Sequence, residues 1–231
     1  MDLRGGSVLE AIPTVGLSST IACSYLVSSF GLDQISALES DEFPPISMIY
    51  SKKPKFPARI YASEKLKLAV FISEVPLPAN LHRSLARTLL DWTRDQGCQE
   101  IICMEGLSVS DGGNRPLRIW GVGSTDRARE KLGTSGIEQL ETGMISGVSG
   151  VLLNEGRWVK FDVISLLAET RPYMPDALAA AKLVEGIDRL LPQLSVPTEP
   201  LYEQAEVIQA HMATLREQAK PAIEGLVEMY R

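Results

Sequence analysis

At 231 residues, with no Gly/Ser-rich or charge-rich linker, the chain reads as one large domain over 1–196 followed by a helical extension over 197–231. A formal net charge of −6 argues against nucleic acid or an anionic membrane as the main partner. Cys23, Cys98 and Cys103 are odd in number and lack metal-ligand spacing, so they read as reduced core residues of a cytoplasmic protein.

Residues 8–12 form a short apolar strand that enters the turn Pro13-Thr-Val-Gly16. The uncharged run over 11–32 is long enough to span a bilayer. Its content says otherwise, because Pro13, Gly16 and hydroxyls at Ser18, Ser19, Ser24, Ser28 and Ser29 interrupt it, while Leu17, Ile21, Tyr25 and Leu26 make a single stripe. This predicts a buried helix over 17–30 that Gly31 closes. A signal peptide is disfavoured by Asp2, Glu10 and the lack of a convincing cleavage site.

The bend Glu39-Ser-Asp-Glu-Phe-Pro-Pro45 is followed by strands at 46–50 and 58–61, with Lys52-Lys-Pro-Lys55 as the solvated tip between them. A buried strand over 66–73 leads to a helix that Asn80 caps and Gly97 stops, with Leu81, Leu85, Leu89 and Trp92 on its core face. Strands at 100–104 and 117–122 follow, then a helix opening at Ser124 or Thr125. The uncharged stretch 143–153 carries glycines at 143, 147 and 150 opposite Met144, Val148, Val151 and Leu152, which predicts a helix lying close on a sheet. A last strand at 161–168 precedes a helix begun by Pro175 and Asp176 and ended before Pro192. This alternation predicts an α/β fold with helices on both sides of the sheet.

Three groups of residues invite a chemical reading. Glu74, Glu105 and Glu169 each fall at the end of a buried strand, so parallel neighbours would gather them into a pocket at one sheet edge, where open α/β folds bind ligands. Such a pocket could hold a hard cation or do acid/base work, although capping of loops and helices explains the same residues more simply. Gly121-Val-Gly-Ser-Thr-Asp126 has the context of a nucleotide fingerprint, but Asp126 replaces the third glycine and no Walker lysine follows. His82 and His211 lie on helices without ligand spacing, and no Gly-x-Ser-x-Gly elbow is present. No catalytic residue, metal or cofactor is therefore assigned.

Pro13-Thr-Val-Gly-Leu17, Glu39-Ser-Asp-Glu-Phe-Pro-Pro45, Arg59-Ile-Tyr61, Ser73-Glu-Val-Pro76, Ile145-Ser-Gly-Val-Ser-Gly-Val-Leu-Leu153 and Ala168-Glu-Thr-Arg-Pro-Tyr-Met-Pro-Asp176 together resemble the second-chaperone branch of the proteasome assembly chaperone family, in its archaeal form. The resemblance spans residues 8 to about 195. Thr14, where many members carry glycine, departs from the pattern only at the turn. The resemblance implies a three-layer α/β/α sandwich with a mixed, mostly parallel sheet similar to that of nucleoside phosphorylases. It also implies a homo-oligomer whose partner is the α-ring of the proteasome core particle, as an assembly chaperone or ATP-independent regulator. Because fold does not carry function, the alternative is a metal- or nucleoside-handling enzyme using the three glutamates.

Two features of the extension bear on this. Leu201, Ala205, Ile208, Met212, Leu215 and Ala219 alternate spacings of four and three after Pro200 and line one side of a helix. The seam is too short for a coiled coil, so packing on the chain's own domain and a subunit contact both remain open, the resemblance favouring the second. The chain ends Met229-Tyr230-Arg231, a hydrophobic residue, a tyrosine and any residue. That matches the ending by which members of the resembled family and proteasome activators dock between α-subunits. With six tyrosines in 231 residues and 45% hydrophobic residues, a random ending fits about 1% of the time.

Overall fold

The structure is a computed structural model, and it describes residues 1–50, 52–109, 116–170 and 175–203. In chain order the elements are β1 (Ser7–Ala11), α1 (Ser18–Ser29), β2 (Asp33–Leu38), β3 (Met48–Tyr50), β4 (Lys53–Lys55), β5 (Ala58–Ser63), β6 (Leu68–Ser73), α2 (His82–Asp95) and β7 (Glu100–Ser108). They continue with β8 (Ile119–Gly123), α3 (Asp126–Thr134), β9 (Glu138–Gln139), α4 (Gly147–Val159), β10 (Asp162–Thr170) and α5 (Ala177–Leu190).

Eight strands form one sheet in the order β2-β5-β6-β1-β7-β10-β8-β9. Its centre, β6-β1-β7-β10, is parallel throughout, while β2, β5 and β8 add antiparallel pairings outside it. Two-sided burial accounts for the composition of the centre: all six residues of β6 and all nine of β10 are buried, so apolar residues occur at consecutive positions. One apolar cluster joins Leu9, Ile102, Met104, Ile164 and Leu166 to α1 and α5. The other joins Val8, Phe71, Ile101, Cys103 and Val163 to α2 and α4. The fold is thus a mixed α/β sheet covered by helices on both faces, as the sequence predicted.

Four local expectations are corrected. Lys53–Lys55 is not a hairpin tip but a strand, pairing with Met48–Tyr50 as a ribbon apart from the main sheet. Between α1 and that ribbon, β2 pairs along β5; it went unread because an edge strand with four exposed residues of six carries no apolar run. Asn80 does not cap α2, which starts two residues later after a short 3-10 turn, and its side chain contacts Glu42 instead.

The glycine-rich helix begins at Gly147 rather than Gly143, leaving Met144 92% exposed. Its glycines also serve a different purpose from the one expected. A Cβ on Gly150 would stand 2.3 Å from the Ile145 carbonyl oxygen, so this glycine accommodates the incoming chain. Close approach to the sheet occurs at Gly156, where a Cβ would meet Val163 Cγ2 at 2.6 Å and the Phe161 carbonyl at 2.9 Å.

Candidate functional site

Strand β1, Ser-Val-Leu-Glu-Ala, is buried along its whole length at the middle of the sheet. Alternation sends Leu9 and Ala11 toward α1 and α5, and it sends Val8 and Glu10 toward α2 and α4. Register therefore forces a glutamate into the interior, where it is 1% exposed. Glu10 lies across from Cys103 on β7, and Cys103 lies across from Ser165 on β10, so the three form one row on the α4 side. Two residues beyond Cys103, Glu105 shares that face.

Ser149, in the first turn of α4, closes this row from above. Its Oγ lies 3.2 Å from Glu10 Oε2 and also bonds Glu105 Oε1. Neither carboxyl pairs with a lysine or arginine among the described residues. Burial, helped by the nearby Glu105 charge, pushes the Glu10 carboxyl up to about 8. Burial likewise pushes Glu105 up to about 7, against the hydrogen bond from Ser149. The Cys103 thiol is raised well above its ordinary value by burial and then by the two carboxylates, so it is not a poised nucleophile. Ser165 Oγ is buried without a hydrogen-bond partner among the described residues.

The three glutamates read from the sequence stand on parallel strands or just past them, as expected, yet each carboxylate is committed to a different partner. Glu74, one residue past β6, is drawn sideways by Arg59 of β5. Its Oε1 lies 2.9 Å from Arg59 Nη2 and accepts from Tyr50 Oη at 2.5 Å. Arg59 also donates to Tyr61 Oη at 2.9 Å and to the Phe56 carbonyl at 2.5 Å, and it lies over the rings of Tyr50 and Tyr61. Glu169 turns toward β8, where Oε2 accepts from the Arg118 backbone N–H at 3.1 Å and Oε1 from Trp120 Nε1 at 3.4 Å. Only Glu105 joins a carboxyl cluster, and its companion is Glu10. Among the described residues no group of three His, Cys, Asp or Glu side chains could hold a metal ion.

The fingerprint-like turn is a packing feature. Thr125 caps α3 by accepting from the Ala128 N–H, and a Cβ on Gly123 would meet Arg129 N at 2.8 Å, so the helix itself fills the space a pyrophosphate needs. An open cavity of about 600 Å³ lies between 39–47 and 54–57, lined by Phe43, Pro44, Pro45, Ile46, Phe56 and Pro57 among others. Of the seam, Leu201 is 1% exposed and packs in the α1/α5 cluster, so this residue belongs to the chain's own domain. Ala205, Ile208, Met212, Leu215 and Ala219 lie outside the described residues, as do Met229, Tyr230 and Arg231.

Glu10 and Ser149 are the members that reading the sequence missed. A signal existed for the first: Glu10 is the one charge within an otherwise apolar strand. Ser149 carried none, because a serine near a helix start is ordinarily read as a cap.

These features define a three-layer α/β domain whose acidic residues at the strand ends are held by internal partners. The chain belongs to the PAC2 family, which it matches over residues 8–216. An uncharacterised protein of Methanocaldococcus jannaschii is 26% identical over 211 residues, covering 91% of this chain and 85% of that protein. Among solved structures, PbaA of Pyrococcus furiosus, an archaeal homologue of proteasome-assembly chaperone, superposes with a TM-score of 0.88 at 28% identity, covering 100% of this chain and 95% of that one. PbaB of the same organism, an archaeal proteasome activator, shares the fold at 22% identity and a TM-score of 0.80, covering 94% and 95%.

Proposed function

We propose that this protein is a proteasome assembly chaperone or ATP-independent regulator that binds the α-ring of the core particle through its C-terminal tail. The observation that carries the reading is the family match over 8–216 together with the full-length correspondence to PbaA. The internally committed glutamates support it from the other side, since the carboxylate-pocket enzyme has no convergent site among the described residues. In this reading the protein works in the cytoplasm, where its proposed partner would be met; no described helix is long and apolar enough to cross a membrane.

In this reading the terminal carboxylate of Arg231 meets a lysine between α-subunits, Tyr230 fills an apolar slot and offers its hydroxyl, and Met229 adapts to the wall. One tail buries too little to bind tightly, so a homo-oligomer presenting several tails gains affinity through effective concentration. The test is co-migration with core particle on native gels. Tyr230→Ala, or one residue appended after Arg231, should weaken binding at least about tenfold without changing fold or oligomer mass. Undiminished binding by both variants would remove the tail from the proposal.

A further inference from the structure

The row beneath α4 presents a problem of proton counting. Ser149 Oγ lies between two carboxyls, 3.2 Å from Glu10 and hydrogen-bonded to Glu105. A hydroxyl has a single proton to give. If that proton is donated to Glu105, the contact with Glu10 is a hydrogen bond only when Glu10 carries a proton of its own and donates it to Ser149 Oγ. The arrangement is therefore a chain from one carboxyl through Ser149–H to the other, and it is complete whenever at least one of the two carboxyls carries a proton.

Among the described residues, the surroundings supply no substitute for the missing positive charge. Toward β6 the residue across from Glu10 is Phe71, and toward β7 it is Cys103. From β10 the row ends in the hydroxyl of Ser165, and through the sheet α1 presents the buried Cys23 thiol, raised first by burial and then by Glu10. Toward α2, the His82 ring stands 4.0 Å from where a Gly147 Cβ would lie and shares a contact with the Leu77 carbonyl. Farther along α4, Glu155 is committed to Arg83 and Arg87 on the solvent side, and Glu169 of β10 is turned toward β8.

We propose that Glu10, Ser149 and Glu105 form a proton-operated latch that fastens the first turns of α4, and the exposed segment around Met144 before it, to the centre of the sheet. With at least one of the two carboxyls protonated, the latch is closed. When both carboxyls ionise, two negative charges face one hydroxyl in a site without a cation, and the start of α4 lifts so that water can reach them. The segment is suited to such motion, since Ser146 makes no side-chain cap and Met144 is 92% exposed.

The direction with pH follows from the raised carboxyl. Below about 4.5 both folded and unfolded chains hold the Glu10 proton, and from there to about 8 only the folded chain does. The stabilisation is thus fully present in acid and is lost as pH rises through the folded value. Glu105, raised to about 7, contributes in the same direction.

Hydrogen exchange, corrected for intrinsic rates, tests the latch on the full chain at pH 6 and pH 9. Protection of amides in 147–153 should fall at least about tenfold between the two, relative to those of α5. Glu10→Gln replaces the protonated carboxyl by a neutral donor of the same shape, and in it the fall should shrink to about twofold or less. His82 is common to both proteins, so its contribution cancels. Glu105→Gln, which also forbids double ionisation, gives a second reading should the first variant fold poorly. An equal fall in parent and variants overturns the proposal, and so does a parent whose α4 protection ignores pH.

Discussion

Glu74 and Glu105 look alike in sequence, a glutamate at the end of an apolar strand, and the fold satisfies them in opposite ways. Glu74 enters an ion pair because an antiparallel neighbour, β5, brings Arg59 alongside, with Tyr50 as a second donor. Glu105 lies between parallel strands whose described side chains offer no cation, and burial there raises its carboxyl so that the site favours a proton instead. For these two glutamates the neighbouring strand, rather than the acidic residue itself, decides between an ion pair and a proton. Glu100 and Asp162, at the opposite ends of the central strands β7 and β10, take their cations from α3, so the contrast holds for the ends where Glu74 and Glu105 stand.

The largest test breaks the flank. Arg59 is 2% exposed, and removing it leaves the Glu74 carboxylate against Tyr50 without a cation. Arg59→Met should lower stability by about 3–5 kcal/mol, as when one partner of a buried pair is lost. Adding Glu74→Gln should recover much of that, read by denaturant unfolding. If the double variant is no more stable than Arg59→Met alone, the loss comes from packing and from the Phe56 and Tyr61 contacts, and the contrast between flank and centre fails there.

A smaller effect is expected at Tyr50. Its hydroxyl donates to Glu74 at 2.5 Å, but the residue is 42% exposed, so water replaces much of what the bond contributes. Tyr50→Phe should lower stability by about 1 kcal/mol, and Arg59 should hold the carboxylate in place. A loss as large as that of Arg59→Met would mean that the phenol, not the guanidinium, holds Glu74.

How much of this was legible follows the same division. The four central strands announce themselves because two-sided burial leaves consecutive apolar residues, as in β6 and β10. The flank was harder. Strand β2 is mostly exposed, and β3 with β4 is a ribbon on its own, so neither carries the alternation that pattern reading needs. Asn80 has the residue type of a cap, but Glu42, 38 positions earlier, engages its side chain. Among the glutamates, strand-end position was readable, whereas the partner was not, because Arg59, Arg118 and Ser149 are set by register and helix placement across many residues. Glu10 was visible as a lone charge within an apolar strand, but only the position of β1 at the sheet centre makes that charge consequential.

The smallest effect, a difference in one variant's deficit between two pH values, isolates the hydroxyl at the centre of the latch. Ser149→Ala removes the link between the carboxyls without changing either of them, and no new atom enters the space. At pH 6 the variant loses up to two hydrogen bonds in a buried site, which suggests about 1–2 kcal/mol of destabilisation. The small size follows from geometry, since Glu10 and Glu105 share one face of the sheet and Glu10 also has Cys103 beside it. The distinguishing feature is the dependence on pH. At pH 9, where both carboxyls are ionised in the parent, Ser149–H can donate to only one of them, so its removal should matter less than at pH 6 if the chain of donors is intact only while a carboxyl holds a proton. Denaturant unfolding of Ser149→Ala and parent at the two pH values measures this directly. A deficit that is equal or larger at pH 9 would mean that Ser149 supports ionised carboxylates, the role Arg59 has at the flank, and centre and flank would then obey one rule rather than two.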